Sequence, residues 1–358
     1  MMSIEAVIER TIRSDVLAQA AYAVPDASGM LKLEAMENPY TLPPEMQAAL
    51  AQHLAKQALN RYPVPSYRHL KAQICHNFGV PKGYDVVLGN GSDELINMLS
   101  VACAKPGASV LAPLPAFVMY AISARQLGMQ FIGVDLKPDF SLDLPAMLAA
   151  IEQHQPALIY LAYPNNPTGG LFDSHAIEQI IRAAPGWVVL DEAYQPFNDA
   201  SFMPRLPEFA NLLVMRTVSK LGLAGIRLGY MAAHGALLHE IEKVRPPYNI
   251  NVLTQACAEF LLDYPAIFAE QAAQICQARG DLTAALQQLG VQVFPSAANF
   301  VLIRVENAEQ VYQKLLDCKI LVKNVGKMHA LLNNCLRITV STPAENQVFL
   351  QALARILA

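Results

Sequence analysis

Between residues 84 and 233 the chain alternates short β-rich apolar runs with segments of helical spacing. The runs fall at residues 86–88, 109–111, 130–134, 157–161, 187–190, 212–215 and 228–232. Several are continuously apolar rather than alternating, which predicts strands covered on both faces. Helical segments between many of them predict an α/β unit built on a mostly parallel sheet. Upstream, residues 37–44 are studded with prolines and read as an irregular arm, followed by a helix from 44 to about 60. Downstream, 254 to about 289 is helical, and strands are expected near 300–305 and 336–340 with helices between and after. The expected organisation is an N-terminal arm (1–43) that joins the smaller unit, a large domain (44–253) and a small α+β domain (254–358).

Length agrees, since 358 residues exceed what one small core requires. With 53% hydrophobic and 16% charged residues the chain is globular. A net charge of −4 without a basic stripe argues against nucleic acid as a partner. No apolar run approaches a bilayer span, so no membrane attachment is expected. The N-terminus is charged within its first residues and has no apolar h-region, so a cytoplasmic location is expected. Cysteines at 75, 103, 257, 276, 318 and 335 show no metal-ligand spacing, and the histidines form no HExxH motif. Free thiols and no metal site are the expectation.

Four segments carry chemistry, each just after an expected strand. Lys220, in Thr217-Val218-Ser219-Lys220, follows the run 212–215. Desolvation there would favour the neutral amine that a Schiff-base nucleophile needs, although an isolated Ser-Lys pair is more often a surface loop. Asp191 and Tyr194, in Asp191-Glu192-Ala193-Tyr194, end the run 187–190, where parallel sheets bind ligands; a helix-capping aspartate is the plainer alternative. Asn166, in Asn165-Asn166-Pro167-Thr168-Gly169, could be part of a simple turn or could offer an amide to the same crevice as Tyr194. Gly89-Asn90-Gly91-Ser92-Asp93 opens a helix whose free N–H groups suit a phosphate, with Asp93 a possible N-cap. Arg227 offers a guanidinium to the same anion. Each segment alone is weak. A phosphate cradle, a reactive lysine and an acidic partner in one chain are strong together, because pyridoxal phosphate (PLP) needs all three.

Taken in order, Asn60-Arg61-Tyr62-Pro63, the segment at Gly89, Tyr163 to Gly170, Asp191 to Tyr194, Arg216 to Tyr230, and Cys335 to Val340 resemble the fold-type-I PLP aminotransferases over nearly the whole chain. The wording is closest to the histidinol-phosphate aminotransferase branch. The resemblance implies that Lys220 holds the cofactor and shuttles a proton, that Asp191 binds the pyridine nitrogen, and that Tyr194 and Asn166 bind the phenolic oxygen. It places Ser92, Asp93, Ser219 and Arg227 around the phosphate, with Tyr62 reaching it from the other subunit of a homodimer. Phe117 would lie over the cofactor ring. Arg337 would grip the substrate carboxylate, Tyr22 would cover the substrate, and Lys323, where the branch often has arginine, would meet a substrate phosphate. The Lys220–Arg227 loop is one residue shorter than the commoner pattern. The implied reaction passes an amino group between histidinol phosphate and 2-oxoglutarate. The alternatives are another enzyme on the same scaffold (an aromatic aminotransferase or a phosphothreonine-type decarboxylase) or a non-catalytic ligand sensor.

Overall fold

The computed structural model describes residues 2–19 and 25–358. Its larger sheet has seven strands: β2 (Tyr84–Gly89), β3 (Ser109–Leu114), β4 (Gln130–Asp135), β5 (Leu158–Ala162), β6 (Trp187–Asp191), β7 (Leu212–Thr217) and β8 (Gly229–His234). Their order is β2-β8-β7-β6-β5-β3-β4. The apolar runs are continuous because successive side chains enter opposite cores. On β6, Val188 and Leu190 join one buried cluster and Val189 the other. On β7, Leu212 and Val214 likewise oppose Leu213 and Met215.

Only β8 runs against the rest, pairing antiparallel with both β2 and β7. The other six strands therefore point one way, and their carboxyl ends share one edge of the sheet. That edge is the ordinary ligand crevice of an open α/β sheet. Ser92, Phe117, Asn166 and Lys220 follow β2, β3, β5 and β7 respectively and Asp191 ends β6, so the topology gathers them there.

A second sheet has the order β1-β11-β12-β10-β9, from β1 (Leu31–Leu33), β9 (Gln292–Val293), β10 (Phe300–Arg304), β11 (Ile320–Asn324) and β12 (Cys335–Thr339). Strand β1 comes from the arm and pairs in parallel with β11. The other pairs are antiparallel.

Some expected boundaries move. The helix expected to reach residue 60 spans Pro44–Leu54. The helical stretch after 253 is two helices, Val252–Leu261 and Pro265–Gln288, because Pro265 cannot continue a helix but can begin one. Asp93 is not an N-cap: Asn90 holds that position before the helix Gly91–Cys103. Nor does Asp191 cap a helix. It ends β6, and the next helical turn, Gln195–Phe197, starts after Tyr194. Among the described residues no helix is long and apolar enough to cross a membrane.

Candidate active site

A cavity of about 400 Å³ opens at the carboxyl edge of the larger sheet. It gathers Ser92, Asp93, Phe117, Asn166, Asp191, Tyr194, Ser219, Lys220 and Arg227 from five separate stretches of sequence. Its remaining wall includes Ala35, Met36 and Glu37 from the arm.

Asp191 forms the floor. It is 4% exposed, and burial pushes its carboxyl up to about 6. Two donors oppose that rise: the Tyr120 hydroxyl gives a hydrogen bond to Oδ2 at 2.6 Å, and the Ala193 N–H gives one to Oδ1 at 3.1 Å. The neighbouring Glu192 serves the frame instead. It is fully buried and accepts bonds from Arg216 Nε at 2.9 Å and from the Phe202 N–H at 2.6 Å. That buried pair ties the end of β6 to β7 and so fixes Asp191 relative to Lys220.

Lys220 sits in a tight turn, Ser219–Leu223, that Gly222 permits by taking φ +126°. Loss of solvent and then the nearby Arg337 charge hold its amine down to about 8. In the structure Nζ donates to the Ala35 carbonyl at 3.0 Å. Tyr194 stands close by, its ring centre 5.9 Å from Nζ. The Tyr194 hydroxyl accepts from Asn166 Nδ2 at 3.0 Å, and burial raises its pKa.

At the opposite end of the cavity the first turn of the helix Gly91–Cys103 has N–H groups with no partner inside that helix. Gly91 takes φ +76°, and a Cβ there would come within 2.7 Å of Arg227 Nη2. Only glycine leaves the space beside that guanidinium open. Arg227 itself adopts φ +53°, a left-handed turn that closes the short loop after Lys220. Its Nη2 lies 3.7 Å from the Asp93 carboxylate. Ser219 Oγ is 2.8 Å from Thr217 Oγ1.

Arg337 lies against this group rather than in the cavity wall. It donates to Asn166 Oδ1 at 2.6 Å and to the Glu34 carbonyl at 2.7 Å. Lys323 is its register partner across β11 and β12, so the two cations share one face of the second sheet. Burial and the Arg337 charge lower the Lys323 pKa. Tyr62 is elsewhere: it is 80% exposed and stacks on Tyr248 with ring centres 4.6 Å apart. Tyr22 falls outside the described residues.

Residues 28–353 match the model of a family described as aminotransferase class I and II. The chain belongs to the class I and II aminotransferases. This aminotransferase is 59% identical to histidinol-phosphate aminotransferase 1 of Ralstonia nicotianae, over 98% of its own length and 96% of that protein. It is 58% identical to histidinol-phosphate aminotransferase 2 of Cupriavidus pinatubonensis, over 97% and 96% of the two chains. Among solved structures, the histidinol-phosphate aminotransferase of Clostridium acetobutylicum superposes with a TM-score of 0.83 at 25% identity, covering 92% of this chain and 99% of that one. The Sinorhizobium meliloti histidinol-phosphate aminotransferase, solved in complex with pyridoxal-5'-phosphate, shares the fold with a TM-score of 0.87 at 24% identity, over 97% and 98% of the two chains.

Aminotransferases of this family depend on PLP, and the residues present fit it. The glycine-opened pocket beside Arg227 suits a phosphate, the buried Asp191 carboxylate suits a cationic ring nitrogen, and Lys220 carries an amine of lowered pKa. Tyr120, Met36 and Thr217 also line the cavity, and no sequence motif singles them out as members of it. Tyr120 lies three positions after Phe117, a spacing that places both on the same side of one helical turn and marks Tyr120 as a candidate.

Proposed function

We propose that this aminotransferase exchanges amino groups between histidinol phosphate and 2-oxoglutarate, giving imidazole acetol phosphate and glutamate, as a step of histidine biosynthesis. The observation that carries the substrate is the 59% identity to a histidinol-phosphate aminotransferase over nearly the whole chain. The geometry adds a reason. The two amino donors present different anions, a carboxylate in glutamate and a phosphate in histidinol phosphate. The adjacent Arg337 and Lys323 offer one planar fork and one point charge on a shared face, which serves both.

PLP, when bound, supplies the electron sink for the pair released at the substrate Cα. In our reading Asp191 would offer a negative charge to the ring nitrogen. Tyr194 and Asn166 would hold the phenolic oxygen. Ser92, Asp93, Ser219 and Arg227 would surround the phosphate, and Phe117 would lie against the ring. Lys220 would hold the cofactor through its amine and serve as the general base and acid for the substrate Cα proton. Arg337, with Asn166 and Lys323, orients the substrate. We further read the larger sheet as the core of a domain over 44–253 and the second sheet as that of a domain over 254–358 that takes in the arm. All six cysteines are free, which supports a reducing, cytoplasmic setting.

The substrate reading is tested by single-turnover amino donation to the loaded enzyme, followed at the cofactor absorbance. Histidinol phosphate should react with a kcat/KM at least about a hundredfold above that of phenylalanine, since a site built for a phosphate is left unpaired without one. Preference for an aromatic donor, or no reaction with histidinol phosphate, would overturn it.

The proposal includes a homodimer in which Tyr62 reaches the phosphate bound to the other subunit. Its exposure on its own chain supports this, since a phenol lying open on Tyr248 is available to a second copy. A hydrogen bond to a charged group is worth about 1.5–3 kcal/mol, so Tyr62→Phe should weaken PLP retention by roughly tenfold to a hundredfold. Mixing Tyr62→Phe subunits with Lys220→Ala subunits should rescue one site per heterodimer, which then has Lys220 and a tyrosine from its neighbour. Heterodimers that hold PLP no better than Tyr62→Phe homodimers would show that Tyr62 does not act across the interface.

A further inference from the structure

We infer that Tyr120 is a positioning residue of the reaction, its buried hydroxyl fixing the Asp191 carboxylate and holding it in the ionised form. The inference deepens the proposed function and rests on Asp191 as the anionic partner of the ring nitrogen. Tyr120 belongs to the helix Met119–Gln126, after β3, while Asp191 ends β6. The fold therefore brings together two groups 71 positions apart, at 2.6 Å.

Three observations set this contact apart from incidental packing. Tyr120 is 1% exposed, so its hydroxyl has no water to fall back on. Its ring is clamped: it stacks on Tyr160 with centres 4.5 Å apart and planes 6° from parallel, and Phe117 meets its edge at 5.6 Å. The hydroxyl is thus aimed before any ligand arrives. Finally, the carboxylate needs this donor. Asp191 is buried, and the other acids facing it, Asp93 from the helix after β2 and Glu192 next to it just past the end of β6, both oppose its charge. The opposing influences are the Tyr120 hydrogen bond, which is the larger, and the Ala193 N–H. Tyr194 is a neutral neighbour whose own ionisation is disfavoured.

The sign follows from these contacts. The hydrogen bond favours the charged carboxylate and lowers its pKa, so losing it raises the pKa and leaves more of Asp191 neutral at a given pH. A neutral acid cannot keep a proton on the ring nitrogen by charge. Tyr120 touches Asp191 rather than reacting atoms, and so acts through it.

The test is Tyr120→Phe, which keeps the ring and its stack on Tyr160 and removes only the hydroxyl. The first readout needs no cofactor. In the apoprotein, the Asp191 carboxylate band is assigned by infrared difference against Asp191→Asn and titrated. Its midpoint should move upward by about one to two units in Tyr120→Phe, the equivalent of one hydrogen bond to a charged group. The second readout is the loaded enzyme: kcat should fall by roughly tenfold or more at low pH, and the deficit should shrink as pH rises. An unmoved Asp191 midpoint would overturn the inference while leaving the role of Asp191 intact. So would a kcat deficit equal at every pH. An Asp191→Asn enzyme with full activity would instead remove the reading on which the inference rests.

Discussion

Replacing Lys220 with alanine is expected to abolish turnover, a loss of more than about a thousandfold, while the protein stays folded. Two functions leave together: covalent attachment of the cofactor and proton transfer at the substrate, each difficult to replace with water. The fold loses little, because the amine makes its hydrogen bond to a single carbonyl, Ala35 O. Phosphate binding would persist, since the Gly91 pocket and Arg227 lie at the far end of the cavity. The wild type gives a companion signature. With its amine held down to about 8, Lys220 is increasingly neutral as pH rises through that value, so capture of PLP by the apoprotein should quicken across the same range. Borohydride reduction of the loaded enzyme followed by peptide mapping checks the assignment. Label on any other lysine would refute it.

Asp191→Asn should keep PLP bound and lose at least about a hundredfold in kcat, in line with removing one preorganised charge from a site that excludes water. The amide is nearly the same size: its one oxygen can accept from the Ala193 N–H, and its NH2 can donate to the Tyr120 hydroxyl oxygen once that hydroxyl turns, so the cavity should keep its shape. What disappears is the negative charge that Asp191 would offer the ring nitrogen. The measurement is kcat at saturating substrate beside the melting temperature. Turnover near that of the wild type would exclude the role, whatever happens to stability.

The legible parts of the molecule share a cause. The inner strands of the larger sheet show in the sequence because they are buried on both faces and must be apolar at successive positions, as Val188, Val189 and Leu190 are; β4, at the edge, is half-exposed and shows by its β-rich composition instead. Strand β1 has three residues, Leu31-Lys32-Leu33, and β9 has two, so neither accumulates a pattern. Strand β11 stands out in the sequence for Lys323 rather than as a strand, because Lys323 and Asn324 break its apolar run after Val322. The reversal of β8 was illegible because it comes from the turns at Gly222 and Arg227, where backbone angles rather than residue polarity decide direction. The cavity divides the same way. Ser92, Asn166, Asp191 and Lys220 announce themselves because their chemistry is fixed to strand ends. Tyr120 reads as one more core aromatic until the fold brings Asp191 to it. The partners offered by Glu34 and Ala35 are backbone carbonyls, which every residue possesses and no sequence marks.

The placement of β1 also shapes how the chain is made. Its partner β11 lies nearly 290 residues further on. At a synthesis rate of about 5–20 residues per second, the arm emerges roughly 15–60 s before that partner exists. All strands of the larger sheet are complete by His234, so the arm spends that interval beside a growing sheet to which it does not belong. Three exposed main-chain positions make a poor template for mispairing, and the arm's short strand keeps it uncommitted through the wait.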